Sequence, residues 1–255
     1  MDDKQIGRGR FMLGDCLERM REIPDGSVDM ILCDLPYGTT QNKWDAVIPF
    51  EPLWREYWRV AKPNAAVVLT AAQPFTSALV MSQPQHFKYP WVWRKSKVTG
   101  VLNAKRQPLR QHEDVLVFCR QSPPYNAQGT ESVSKRAATG RSKAGSSQNY
   151  GAITETEDGT YEQTTTNWPR SVLDIASEGA TVHPTQKPVA LFEYLIRTYT
   201  DEGMTVLDNC AGSGTTAIAA ERTGRNWICI ERDETYFAKA CERVAAEIEE
   251  RGLFA

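Results

Sequence analysis

The chain of 255 residues has no apolar run approaching the roughly 18–20 residues that a membrane-spanning helix needs. Its start, MDDKQIGRGRF, lacks an apolar signal segment, so cytoplasmic residence is the expectation. No CxxC pair occurs among the six cysteines, and the three histidines do not cluster with them. That spacing argues against zinc and against a disulfide framework, and leaves no expected metal site. The cysteines, several of them inside apolar runs, read as reduced, small hydrophobes. Neither GxGxxG nor GK[ST] is present, so the dinucleotide and triphosphate fingerprints are both missing. Net charge is only −2, which alone suggests no polyanionic partner.

The charge is unevenly spread. Residues 81–150 hold twelve Lys/Arg against three Asp/Glu, a local +9, so the remainder carries −11. A basic middle in an acidic chain points to a polyanion bound by one region. The same middle contains a compositional break: residues 121–168 are rich in Ser, Thr, Gly, Gln and Asn and poor in large aliphatics. Such a segment cannot bury a core and reads as a long loop or partly ordered insertion.

Periodicity organises the rest. Residues 28–34 (VDMILCD) form a buried-strand pattern bounded by PDG before and PYG after. A helix is expected over 53–60, a strand over 65–70, another helix over 75–81, and strands over 91–94 and 115–119. Beyond the insertion come a helix over 188–199 with proline at its start, a strand at 205–208, a helix over 215–222, a strand at 227–231 and a final helix over 233–250. This alternation predicts an α/β domain with a largely parallel sheet.

One segment carries cofactor chemistry. VLDNCAGSGTT (206–216) reads as strand, acid, glycine turn and helix start. Gly212 and Gly214 permit a tight turn and close approach of a ligand, and the following helix offers free N–H groups. The next strand ends in Glu231, 17 residues beyond Gly214, where an acid suits ribose hydroxyls. Without a phosphate loop, a nucleoside such as S-adenosylmethionine fits better than NAD or ATP.

AGSGTT after LD, HPTQKP at 183–188 and DLPY at 34–37 together resemble the S-adenosylmethionine-dependent DNA amino-methyltransferases. The order resembles the arrangement in which the catalytic motif precedes the target-recognition region, which precedes the cofactor motif. The resemblance covers residues 10–120 and 168–245 and leaves the Ser/Thr-rich middle unmatched. It implies a Rossmann-like, mixed but mostly parallel sheet of the class I methyltransferase type with an inserted target-recognition region. The expected divisions are 1–90 (catalytic half), 91–180 (recognition region, including 121–168) and 181–255 (cofactor half).

By that resemblance, His183, Pro184, Thr185, Gln186, Lys187 and Pro188 line the methionine side of the cofactor pocket with Asp208, Gly212, Gly214, Thr215 and Thr216. Glu231 would hold the ribose. Gly14-Asp15 matches the place of an acid near the adenine, although Asp15-Cys-Leu-Glu18 also has the form of a capping box. Relatives of this arrangement often dimerise, so a homodimer is among the expectations, and a bacterial or phage modification system is the expected setting.

The chemistry of DLPY follows from the acceptor. An exocyclic amine is a poor nucleophile because its lone pair is delocalised into the ring. Acceptors for both N–H hydrogens pull the nitrogen toward tetrahedral geometry, and Asp34 with the Leu35 carbonyl supplies two. Pro36 stiffens the turn, and Tyr37 offers a flat face for an extruded base. In the family, Asp in first place usually accompanies adenine N6 and Ser cytosine N4. Asp34 therefore favours adenine, while Leu35 departs from the common Asp-Pro-Pro-Tyr. The other readings are cytosine N4, an RNA or protein-glutamine methyltransferase, and a non-catalytic DNA-binding relative.

For double-stranded DNA, Arg94, Lys95, Lys97, Lys105, Arg106 and Arg110 are candidate phosphate contacts. Asn103, Gln107 and Arg110 suit base edges. Lys135, Arg136, Arg141 and Lys143 form a second basic group in the Ser/Thr-rich segment, while His112-Glu113 has no assigned chemistry.

Overall fold

The computed structural model describes residues 3–38, 45–138, 160–179 and 186–252, without the side chains of 136–138 and 160–162. His183, Pro184, Thr185, Arg141 and Lys143 lie outside the described residues, as does the Arg136 side chain.

The described residues fall into two compact units, 1–126 with 171–255, and 127–170. In chain order the first begins with β1 (Lys4–Ile6), β2 (Gly9–Leu13), α1 (Cys16–Arg19), β3 (Val28–Asp34), α2 (Phe50–Val60) and β4 (Ala61–Ala71). Next come α3 (Phe75–Ser82), β5 (Phe87–Thr99) and β6 (Arg110–Phe118). The second unit is the antiparallel pair β7 (Glu131–Ala138) and β8 (Thr160–Thr166), in register Glu131↔Thr166 to Ala138↔Thr160. The first unit resumes with β9 (Val172–Asp174), α4 (Val189–Tyr199), β10 (Thr205–Asp208), α5 (Thr215–Arg222), β11 (Asn226–Glu231) and α6 (Glu234–Glu250).

The main sheet runs β1-β2-β11-β10-β3-β4-β6-β5-β9. Its centre, from β2 to β4, is parallel, as buried apolar strands separated by helices require. One flank is antiparallel: β6 pairs with β4 and with β5. This flank fits the mixed sheet expected, because β5 and β6 are joined by a turn with no crossover helix between them, as antiparallel neighbours allow.

Alternation along β3 divides the core. Met30 and Leu32 face one layer with Leu191, Leu195, Ala217, Phe237 and Val244, supplied by α4, α5 and α6. Ile31 and Cys33 face the other with Leu53, Trp54, Tyr57, Phe75 and Leu79, supplied by α2 and α3. The sheet is thus covered on both faces, the arrangement expected of a doubly wound α/β domain. Burial raises the Cys33 thiol to about 12, consistent with a packed, unreactive cysteine. No helix among the described residues is long and apolar enough to cross a membrane.

Candidate active site

Parallel strands deliver their last residues to one edge of the sheet. β2 ends beside Gly14 and Asp15, β11 at Glu231, β10 at Asp208 and β3 at Asp34. The register Leu13↔Glu231 brings the first two ends together, and Gly14 N donates to the Glu231 carbonyl at 2.9 Å. Along this carboxyl edge lies a cavity of about 680 Å³, whose lining includes Asp15, Asp34, Tyr37, Lys187, Gly212 and Glu231. The crevice outside the carboxyl ends of parallel strands is where open α/β sheets hold ligands.

The glycine turn follows β10 directly. Gly212 and Gly214 have φ of +50° and +77°, a left-handed backbone that favours glycine. At Gly214 a Cβ would also stand 3.1 Å from the Phe11 ring, tight contact that leaves little room for a side chain. Asp208 braces the turn from below: its carboxylate accepts from Thr216 Oγ1 at 2.5 Å and from Cys210 N at 3.0 Å. Burial is the main influence on this acid and raises its pKa to about 6, against the lowering effect of those hydrogen bonds.

Glu231 is held by two backbone N–H groups. Oε2 accepts from Gly212 N at 2.8 Å and Oε1 from Asp233 N at 2.9 Å. Glu231 also lines the cavity, where its carboxylate can accept from a ribose hydroxyl. The carboxylate, the glycine turn and the cavity size suit a nucleoside. Asp15 caps α1 by accepting from Leu17 N at 2.9 Å and Glu18 N at 3.4 Å, and it also lines the cavity. Its two sequence readings are therefore compatible.

At Asp34 the fold builds a charge cluster. Oδ1 accepts from Tyr37 Oη at 2.9 Å and from Thr70 Oγ1, the residue opposite it on β4. Oδ2 accepts from Lys187 Nζ at 2.6 Å. Lys187 also lies 3.3 Å from Glu113 Oε2, and Lys95 Nζ lies 3.1 Å from Glu113 Oε1. Burial alone would lower the Lys187 pKa, but the Asp34 and Glu113 carboxylates outweigh it and the net direction is up. Burial, then the charges of Asp34 and Glu113, push the Tyr37 phenol well up, so it remains a neutral donor. One face of the Tyr37 ring is backed by Phe75, stacked at 5.2 Å and 23°.

The fold therefore gathers Asp34, Leu35, Pro36, Tyr37, Asp15, Gln186, Lys187, Gly212, Thr215 and Glu231 around one cavity. Lys187, assigned by resemblance to the methionine side, reaches the carboxylate of Asp34. Gln186 donates to Glu178, which also accepts from Val189 N at 2.8 Å and so holds the start of α4.

The basic candidates separate. Lys95 is buried and belongs to the charge cluster. Arg94 is exposed and pairs with Asp174. Lys97, Asn103, Lys105, Arg106 and Arg110 are exposed on the outer ends of β5 and β6 and the turn between them, whose Leu102 is also fully exposed. Of these, Lys97 and Arg110 reach the cavity lining. Lys135 is exposed in the second unit.

Residues 28–242 match the N6/N4 methyltransferase family, described as DNA methylase. The chain belongs to this DNA methylase family. It is 28% identical to the type II methyltransferase M2.DpnII of Streptococcus pneumoniae over 92% of this chain and 89% of that one. The solved complex of M1.HpyAVI with SAM shares its fold at a TM-score of 0.62 and 23% identity, covering 92% of this chain and 99% of the other. A cytosine-N4-specific PvuII DNA methyltransferase does so at 0.67 and 16%, covering 98% and 94%. This DNA methylase is thus a class I, S-adenosylmethionine-dependent DNA methyltransferase with the mixed, mostly parallel sheet expected of it.

Thr70, Phe75, Glu113 and Glu178 escaped the sequence reading as site residues. Thr70 and Glu113 reach the site through sheet register, a signal absent from any local motif. The His112-Glu113 pair, set just after the basic run, was the only visible trace.

Proposed function

We propose that the protein methylates N6 of an adenine extruded from double-stranded DNA. The observation that carries the reading is an aspartate, Asp34, lining the same cavity as Gly212 and Glu231. S-adenosylmethionine supplies an electrophilic methyl group on a sulfonium. Glu231 holds the ribose, the Gly212–Thr216 turn lies against the methionine side, and Asp15 lies near the adenine of the cofactor. Asp34 and the Leu35 carbonyl accept the two amine hydrogens of the target, aiming its lone pair in line with the methyl group. The Tyr37 ring, backed by Phe75, offers its other face to the base. Extruding the base exposes an amine that the duplex stack hides.

Lys97, Lys105, Arg106 and Arg110 neutralise DNA phosphates, and Asn103 and Gln107 meet base edges; the exposure of these basic side chains supports the reading. Lys135 and Arg136 offer a second basic group. Cytosine N4 is the competing acceptor, because a cytosine-N4-specific neighbour shares the fold. Asp34 in first place favours adenine. Sequencing the methylated positions in DNA from expressing cells tests the base and the site together; methylation confined to cytosine would refute the adenine assignment.

A further inference from the structure

The Asp34 carboxylate is crowded before any substrate arrives. Oδ1 takes two hydrogen bonds, from Tyr37 and Thr70, so Oδ2 is the oxygen left to accept an amine hydrogen. Yet Lys187 Nζ sits 2.6 Å from Oδ2. An ammonium there draws on the negative charge that should polarise the amine. It also opposes the positive charge that grows on the nitrogen as its lone pair forms the bond to the methyl carbon. As that bond forms, the carbon–sulfur bond breaks with its electrons going to sulfur, and the nitrogen then releases one proton to solvent.

A second seat for the ammonium lies beside the first. Glu113 Oε2 is 3.3 Å from Lys187 Nζ, and this oxygen is buried and accepts no hydrogen bond. The other oxygen, Oε1, is already held by Lys95 at 3.1 Å. The Lys187 and Glu113 side chains are only 6% and 17% exposed, so the ammonium stays close to a carboxylate in either seat. Two carboxylates and two ammoniums balance, and the cluster keeps its net charge whichever seat is filled. Buried ion pairs add little net stability, so stability alone explains such a cluster poorly.

We propose that Glu113 is a positioning residue that receives the Lys187 ammonium from Asp34 when the target amine enters. The proposal rests on the amino-methyltransferase reading of Asp34. In this role Glu113 acts through Lys187, and Lys95 at 3.1 Å keeps its carboxylate aimed.

The test compares Glu113→Gln, Lys187→Gln and the double variant with wild type, measuring tritiated methyl transfer to duplex plasmid DNA, cofactor affinity and thermal unfolding. Glu113→Gln keeps the shape but removes the charge that attracts the ammonium. The expected result is a kcat lowered about ten- to hundredfold, the span of coupling within one charge network, with KM for DNA and cofactor affinity unchanged. In the Lys187→Gln background the same substitution should cost little more, because no ammonium remains to be moved. A packing role would instead give the same loss in both backgrounds, and that result would overturn the proposal, as would unchanged kcat in Glu113→Gln. If wild type labels DNA while Glu113→Gln matches it, only the role of Glu113 fails. If wild type transfers no methyl group, the reading of Asp34 fails first.

Discussion

Lys187 Nζ and Asp34 Oδ2 lie 2.6 Å apart although 153 positions separate the two residues in sequence. The contact joins the end of β3 to the residue that leads into α4 beside the glycine turn. Residues from opposite ends of the sequence therefore meet at one charged pair.

Asp34→Ala removes the amine acceptor and leaves Glu231 and the glycine turn untouched. Turnover should fall by at least about 10²–10³-fold, the loss typical of deleting one group aimed at the reacting atoms. Cofactor affinity, measured by calorimetry, should hold. Lys187 retains Glu113 as a partner, so the variant is expected to fold.

Glu231→Gln should weaken cofactor binding about tenfold, or ~1.4 kcal/mol, with little change in turnover at saturating cofactor. Burial raises the Glu231 pKa, and only the ionised form accepts both ribose hydroxyls. Wild-type affinity should therefore weaken as pH falls through that raised pKa. A calorimetric pH series on Glu231→Gln should lose this dependence.

Asp208 makes a stability prediction. Its folded pKa of about 6 lies above the ordinary value of 3.8, so the native state binds the proton more tightly. Its contribution to stability is fully present below about pH 3.8 and is lost as pH rises through 6. Asp208→Asn keeps an acceptor for Cys210 N and removes the ionisation. Relative to wild type it should gain on the order of 2 kcal/mol between pH 4 and pH 7, read from paired denaturant curves. An equal difference at both pH values would contradict the buried-charge account.

The parallel centre of this fold was legible because its strands are apolar and strand-length. VDMILCD became β3 and TVLD became β10 without a shift at either end. The ends of β5 and β6 were not legible, since 94–99 and 110–112 are mostly polar, exposed residues joined by backbone pairing such as Arg94↔His112 and Thr99↔Arg110. The same reason hid β7 and β8, drawn from a Ser/Thr-rich stretch. The three-residue β1 and five-residue β2 escaped because they are short, although Phe11 and Met12 of β2 are buried. The glycine turn and Glu231 were legible by spacing, and the DLPY and HPTQKP residues by their resemblance to a known family. Thr70 and Glu113 were not legible, because only the sheet order β3-β4-β6 brings Thr70 to Asp34 and Glu113 to Lys187.

Replacing Lys105 and Arg106 together with Gln should weaken DNA binding without altering cofactor affinity. Both side chains are exposed, so the loss is electrostatic, and the slope of log affinity against log salt should shrink by about 2. Unchanged affinity across a salt series would remove them from the phosphate contacts.

The central claim is methylation of adenine N6 through Asp34. DNA from a host lacking its own adenine methylation, expressing either wild type or Asp34→Ala, can be digested to nucleosides and weighed by mass spectrometry. The account predicts N6-methyldeoxyadenosine with wild type and none with Asp34→Ala. N4-methyldeoxycytidine in place of the adenine product, or equal methylation by the two proteins, would contradict it.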